Sequence, residues 1–239
     1  MRGKHNFQNV HFMNANQLIK NILSQYKEKL IKNIYGPTPL WDSVQSVVAN
    51  ECANYVCQNM QDALQFERKN DFWDFIIKQS PCNSFWEFGV CKGVSLRYFS
   101  RHFKNLHGFD SFEGLQENWR GHNLASGAFS VKGKIPKLDK NVSLYPGWFC
   151  DTVSCFLSKN QDIPDVIHVD CDTYESSFYI LNNIVSRVKP GCIIIFDEYL
   201  LYRGWKTGEF KAWSDIRLKY GLKYTYIAFS EMSVAIKVN

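Results

Sequence analysis

Four apolar runs in this chain of 239 residues end on acids. Glu87 follows Ser84-Phe85-Trp86, and Asp110 closes Leu106-His107-Gly108-Phe109. Asp170 and Asp172 close Val166-Ile167-His168-Val169, and Asp197 and Glu198 close Cys192-Ile193-Ile194-Ile195-Phe196. Carboxylates accept hydrogen bonds from hydroxyls, amines and ribose diols, and they bind hard cations. A purely structural core has no use for unpaired acids, because burying their charge is costly. The first acid leads into Gly89-Val90-Cys91-Lys92-Gly93. Glycine lacks a Cβ and tolerates positive φ, so Gly89 and Gly93 allow a ligand close to the backbone. A dinucleotide turn would read Gly-x-Gly-x-x-Gly. Here Cys91 holds the middle glycine's position, and a glutamate before the turn disfavours a pyrophosphate.

These acids need a scaffold that brings strand ends together. From Ser84 onward the apolar pattern alternates between strands and helices, which predicts a parallel sheet with right-handed crossovers. Strands are expected from Ser84, at Leu106–Asp110, Val142–Phe149, Val166–Asp172 and Cys192–Glu198. The last of these is continuously apolar, as in a strand buried on both faces. Lys223–Phe229 and Ser233–Val238 are separated by a tight turn and are expected to pair antiparallel. Ligands of open α/β sheets sit at the carboxyl ends of the strands, where four of the five parallel strands carry acids. Helical faces are read at Leu96/Phe99/Phe103, at Phe178/Leu181/Val185/Val188 and at Phe210/Trp213/Ile216/Tyr220. Gln116–Lys140 is loop-like, and its four lysines are either solvated or part of a lid. Before Ser84 the pattern is helical: Leu18–Ile34, ended by Gly36-Pro37-Thr38-Pro39, then about Asp42–Leu64, then Phe72–Ile77. These first eighty residues are expected to cap the substrate side or to build a homodimer interface, and the sequence does not choose.

Individual residues carry competing roles. Asp172 has Glu175 three positions on, a capping-box pattern, so a helix cap competes with a role in proton transfer. His168 lies inside its strand and reads as a core histidine rather than a base. Asp110, followed by Ser111 and Phe112, is placed to hold a ribose diol. Trp205, just past the fifth strand, is the aromatic best placed to meet an acceptor.

Composition narrows the class. Apolar residues make up 45% and charged residues 21%, as in a globular protein, and the net charge of +5 comes without a like-charged block. Nucleic acid is therefore not an expected partner. No apolar run reaches membrane-spanning length and no secretory signal is read, so a cytoplasmic location is expected. The eight cysteines contain no Cys-x-x-Cys pair and read as reduced thiols.

A ligand with positive charge, a ribose diol and no phosphate suits an acid-lined rim, and S-adenosylmethionine meets that description. Trp86-Glu87-Phe88-Gly89-Val90-Cys91-Lys92-Gly93 resembles the first motif of class I S-adenosylmethionine-dependent methyltransferases. More narrowly, the chain is similar to the macrocin O-methyltransferase family. The likeness runs through Phe109–Leu115, Pro146–Thr152, His168–Ser176, Lys189-Pro190-Gly191 and Phe196–Tyr199. It implies an α/β, Rossmann-like methyltransferase fold with a mostly parallel seven-stranded sheet and a C-terminal antiparallel hairpin. Residues 1–80 would be a helical extension or cap, and 81–239 the methyltransferase domain. It further implies that Glu87, Gly89 and Gly93 hold the methionine end of the cofactor, and that Asp110, Ser111 and Phe112 hold the adenosine. Asp170, Asp197 and Glu198 would bind Mg2+ beside the hydroxyl of a small-molecule or glycan acceptor, and Asp170 or Asp172 would take its proton. Glu198 stands where the family has a second aspartate. Two rival readings remain open. Asp170-Cys171-Asp172 also fits the Asp-x-Asp of nucleotide-sugar glycosyltransferases, which leaves Glu87 and Gly93 without a role. A non-catalytic binding module on the same fold is the other.

Overall fold

The computed structural model describes residues 39–239. The expected helix Leu18–Ile34 and the stop at Gly36-Pro37-Thr38 lie outside the described residues. Val47–Asn239 forms one compact unit that contains the whole sheet.

Among the described residues, eight strands are β1 Leu64–Gln65, β2 Ser84–Phe88, β3 Asn105–Asp110, β4 Val142–Pro146, β5 Val166–Val169, β6 Ile193–Phe196, β7 Tyr224–Ser230 and β8 Ser233–Val238. They lie in the order β1-β7-β8-β6-β5-β2-β3-β4. Strands β2 through β6 are parallel to their neighbours in that group, and β8 runs antiparallel to both β6 and β7. The sheet is thus mostly parallel with the expected terminal hairpin. One strand more is present than the sequence predicts. Residues Leu64–Gln65 pair in parallel with Ala228–Phe229, and two residues carry no readable alternation.

The helices are α1 Pro39–Asn59, α2 Lys69–Gln79, α3 Val94–Phe99, α4 Phe149–Lys159, α5 Tyr174–Ile184 and α6 Glu209–Tyr220. Among the described residues no helix is long and apolar enough to cross a membrane. Helix α2 buries Phe72, Trp73 and Ile76 in the core beside Phe85 and Phe99, whose rings stack at 4.3 Å. The apolar pattern did not reveal α4, since Val142–Phe149 reads as one strand. The strand stops at Pro146, Gly147 takes φ +137, and the helix starts at Phe149. Its Phe156 packs edge-on against Trp86 at 5.0 Å and Phe109 at 5.1 Å. Helix α1 is fastened to the far edge of the sheet, where the Tyr55 and Tyr226 hydroxyls lie 2.7 Å apart.

The chain builds β2, β3 and β4 outward in one direction, then returns to lay β5 and β6 on the other side of β2. Between β2 and β5 the strand order reverses, and such a switch point opens a crevice at the carboxyl ends of the strands.

Candidate functional site

That crevice is a cleft with a cavity volume of about 190 Å³, partly open to solvent. Its floor is made by the ends of β2 and β5, where Gly89 and Asp170 meet. A Cβ on Gly89, at φ +97, would lie 1.6 Å from the Asp170 carbonyl oxygen. Only glycine permits this approach. Gly89, Asp110, Ser111, Phe112, Asp170, Asp172 and Glu198 all line the cleft, so seven of the ten residues predicted from sequence come together.

Asp110 has a defined task. Its Oδ2 accepts hydrogen bonds from the backbone N–H of Val90 (2.7 Å) and Cys91 (2.6 Å), and its Oδ1 accepts one from Phe112 (2.6 Å). One carboxylate therefore ties the glycine turn to the end of β3. These bonds use both lone pairs of Oδ2 and leave one on Oδ1. Cys91, Phe112, Phe129 and Asp172 all line the cleft and all have left-handed backbone, at φ +48, +60, +64 and +64. Such strain concentrates at ligand sites, where the surroundings hold it in place. The segment after β3 folds back on itself through Leu115 N–H to Ala128 O (2.9 Å) and Gly133 N–H to Phe112 O (3.0 Å). It brings Phe129 to the cleft wall and leaves Lys132, Lys134, Lys137 and Lys140 exposed.

Three predicted residues stand elsewhere. Glu87 is fully buried and does not line the cleft. Its Oε1 accepts hydrogen bonds from the Ser95 hydroxyl and from His168 Nδ1 (2.8 Å). Gly93, at φ +69, starts α3 against Leu138, outside the cleft. Asp197, expected among the metal ligands, is already engaged. Lys69 Nζ lies 2.6 Å from its Oδ2, and the Ser233 hydroxyl (3.0 Å) and His168 Nε2 (3.4 Å) face its Oδ1. Trp205 is also withdrawn: it is buried between Tyr55 and Phe210, with ring centroids at 5.5 and 4.9 Å.

His168 joins two acids across the sheet. Burial alone would lower its pKa, but hydrogen bonds to Asp197 and Glu87 outweigh it and push the ring up to about 10. It is a core histidine with both ring nitrogens satisfied, as expected, and the two carboxylates favour its charged form. Burial likewise works against the charge on Asp197, but His168 and Lys69 hold its carboxyl well below the usual range.

The remaining acids make no ion pair among the described residues, and the charge of His168 only partly offsets burial at Asp170. Burial, then the charge of Asp197, push Asp170 and Glu198 well above the carboxylate range and raise Asp172 to about 7. Glu209, at the start of α6, is raised to about 8 by burial and by Asp172. It accepts hydrogen bonds from the backbone N–H of Glu198 (3.1 Å) and Cys171 (3.4 Å), joining the loops after β5 and β6. Glu209 gives no signal in the sequence, because an acid in a first helical turn is ordinary dipole compensation. The expected cap on α5 is not Asp172. The Thr173 side chain accepts from Ser176 N–H at 3.3 Å, leaving the Asp172 carboxyl to face the cleft. An acid-rich rim at a switch point, short of cations, is built to receive positive charge.

The strand order is that of a Rossmann-like fold, and residues 86–199 match a family model described as a methyltransferase domain. Two curated relatives are similar in sequence. One is the 8-demethyl-8-(2,3-dimethoxy-alpha-L-rhamnosyl)-tetracenomycin-C 4'-O-methyltransferase of Streptomyces olivaceus, 31% identical over 140 residues, 48% of this chain and 52% of the relative. The other is the demethyldecarbamoylnovobiocin O-methyltransferase of Streptomyces niveus, 31% identical over 108 residues, 44% of this chain and 35% of the relative. The chain thus spans about half, or less, of the length of the curated relatives it matches. Among solved structures, a calicheamicin methyltransferase, CalS11, superposes with a TM-score of 0.61 at 20% identity over 99% of both chains. The O-methyltransferase NovP superposes with a TM-score of 0.53 at 23% identity, over 69% of this chain and 75% of its own.

Proposed function

We propose that this protein is an S-adenosylmethionine-dependent O-methyltransferase of the macrocin type, acting in the cytoplasm on a hydroxyl of a sugar or sugar-bearing metabolite. The observation that carries this reading is the acid-rimmed cleft at the strand switch, with Gly89, Asp110 and Asp170 on its walls. The sugar acceptor is drawn from the names of the relatives, one of which is a rhamnosyl 4'-O-methyltransferase. In this reading 81–239 carries the cofactor machinery and the preceding residues are an extension to it.

When bound, S-adenosylmethionine supplies a methyl group on a sulfonium, open to in-line attack. The residues of this chain do the rest. The Gly89 turn admits the ligand against the backbone. Asp110 fixes that turn and offers the remaining lone pair of Oδ1 to the ribose diol, with Ser111 and Phe112 beside the adenosine. The carboxylates of Asp170 and Asp172 face the positive charge, and one of them receives the acceptor's proton. A sugar hydroxyl is a weak nucleophile, so alignment and proton removal carry the rate. Glu87 acts from behind, by holding His168.

Two measurements check this reading. S-adenosylmethionine at about a hundred times its Kd is expected to add about 2.7 kcal/mol, a rise in Tm of about 5–10 °C for a domain of this size. A nucleoside diphosphate sugar alone is expected to give none, and the reverse outcome would favour the glycosyltransferase reading. In calorimetry, Asp110→Ala is expected to weaken S-adenosylhomocysteine binding about 100-fold, near 2.7 kcal/mol, with Asp110→Asn in between because it can still accept one hydrogen bond. Unchanged affinity would remove Asp110 from the site.

A further inference from the structure

Buried polar atoms without partners gather at one place beside the rim. The Trp119 indole N–H, His122 Nε2 and the Tyr202 hydroxyl are shielded from solvent, and none has a hydrogen-bond partner among the described residues. Their rings are packed together. Trp119 stacks on His122 with centroids 3.9 Å apart, and Tyr202 meets the two at 5.6 and 5.0 Å. The indole N–H lies near the Tyr202 hydroxyl without bonding to it. Trp119 and His122 belong to a hairpin, Trp119–Leu124, closed by Trp119 N–H to Leu124 O (2.9 Å). Tyr202 belongs to the loop after β6. The two loops are docked backbone to backbone: a Cβ on Gly121 would lie 1.3 Å from the Arg203 carbonyl oxygen.

This cluster adjoins the cleft. A Cβ on Gly208 would lie 2.1 Å from the Tyr202 hydroxyl and 3.5 Å from the Asp172 carbonyl oxygen, so the hydroxyl stands beside the rim. The Trp119 ring lies 6.3 Å from that of Phe129, which lines the cleft. Trp119 and Asp172 also share a second hollow of about 10 Å³, room for about one water. Polar groups held from water without partners are costly, and native proteins satisfy nearly all of them. The three tips are chemically neutral. An indole N–H only donates, a tyrosine hydroxyl donates and accepts, and burial lowers the His122 pKa, which keeps its ring uncharged. No lysine lines either hollow, and the one arginine there, Arg120, faces Glu175 at 3.5 Å. Aromatic faces with neutral polar tips and no free cation suit an uncharged ring that carries hydroxyls, its C–H face on the rings and its hydroxyls on the tips.

We propose that Trp119, His122 and Tyr202 recognise the acceptor as a neutral sugar ring, with the Trp119–Leu124 hairpin drawing back from Tyr202 to admit it. Without ligand, the hairpin fills the ring's place and leaves the three tips unpaired. Methylation of that ring rests on the methyltransferase reading, whereas its binding at these residues does not.

Tyr202→Phe separates this role from a structural one. Phenylalanine keeps the ring and removes an unpartnered hydroxyl, so Tm of the ligand-free protein is expected to hold or to rise by up to about 4 °C. The neutral probes are the methyl glycosides of rhamnose, glucose, galactose and mannose, titrated into the full chain with S-adenosylhomocysteine present and followed by NMR. At least one is expected to bind at millimolar concentration, and its sugar 1-phosphate counterpart more weakly. Tyr202→Phe is expected to weaken that probe at least about fivefold. Trp119→Ala is expected to weaken it further, and Trp119→Phe, which keeps a flat face, to recover part of the loss. S-adenosylhomocysteine affinity, measured for each variant, is expected to stay within about threefold of the wild type. A lower Tm for Tyr202→Phe would make its hydroxyl a structural group and overturn the proposal. A wild type that binds none of the neutral probes, or that prefers the phosphates, would overturn it too. If S-adenosylhomocysteine binds and the sugars do not, the methyltransferase reading stands and this inference fails. If a sugar binds as described and S-adenosylhomocysteine does not, the sugar site stands and that reading fails.

Discussion

Gly89→Ala is expected to cost more than about 4 kcal/mol, a loss seen only when a specific mechanism is broken. The added methyl would sit 1.6 Å from the Asp170 carbonyl, which is backbone and belongs to the neighbouring strand end. Relief requires parting β2 from β5 where the cleft floor is made. Thermal unfolding should therefore fall by about 10 °C or more, and binding of S-adenosylhomocysteine should vanish with it. Gly127→Ala is the proper comparison. Gly127 also has positive φ, at +83, but nothing lies within 4 Å of the place its methyl would occupy. It should bear only the left-handed backbone cost of about 1–2 kcal/mol. Equal losses at the two positions would mean that conformation, and not the meeting of strand ends, explains Gly89.

His168→Leu carries the second large effect, because it leaves Glu87 buried with only the Ser95 hydroxyl and strips Asp197 of one of its two cations. Breaking a buried ion pair by deleting one partner costs about 3–5 kcal/mol. The effect has a pH signature. The folded-state pKa of His168 is raised from 6.5 to about 10. Its contribution is therefore complete below about 6.5 and lost as pH rises through 10. Asp172 and Glu209 bind protons more tightly folded than unfolded as well, at about 7 and 8 against 3.8 and 4.5. The ligand-free protein should thus lose stability steadily from about pH 4 to pH 10. The gap between wild type and His168→Leu should be widest near about pH 6 and narrow toward about pH 10. Denaturant unfolding at several pH values measures both, and a gap that widens with pH would contradict the imidazolium assignment.

Much of the fold is legible in the sequence because long apolar runs are interrupted by glycine and proline. Cys192–Phe196 can hardly be anything but a doubly buried strand, and the turn after β7 announces an antiparallel partner. What stays hidden is short or masked by its surroundings. Leu64–Gln65 becomes a strand only through its pairing with β7, and α4 hides behind an aromatic run that continues the apolar texture of β4. The site is legible to the level of which strand ends carry acids. It is not legible which way each acid turns, because that depends on partners distant in sequence. Lys69 lies 128 residues before Asp197, and no local pattern says that it will reach that acid. Glu87 and His168 sit opposite each other in adjacent strands, so their pairing appears only once β2 and β5 are in register. Asp172 escapes capping duty because Thr173, one residue later, takes it.

If the cleft between β2 and β5 holds S-adenosylmethionine, its reactive end must face the acids of the rim. The most direct measurement is a crystal structure of the full chain grown with S-adenosylhomocysteine. Density is expected in this cleft, with the ribose hydroxyls on Asp110, the adenine beside Phe112 and the sulfur facing Asp170 and Asp172. Density at any other place on the molecule, or a clear cleft at saturating ligand, would contradict it.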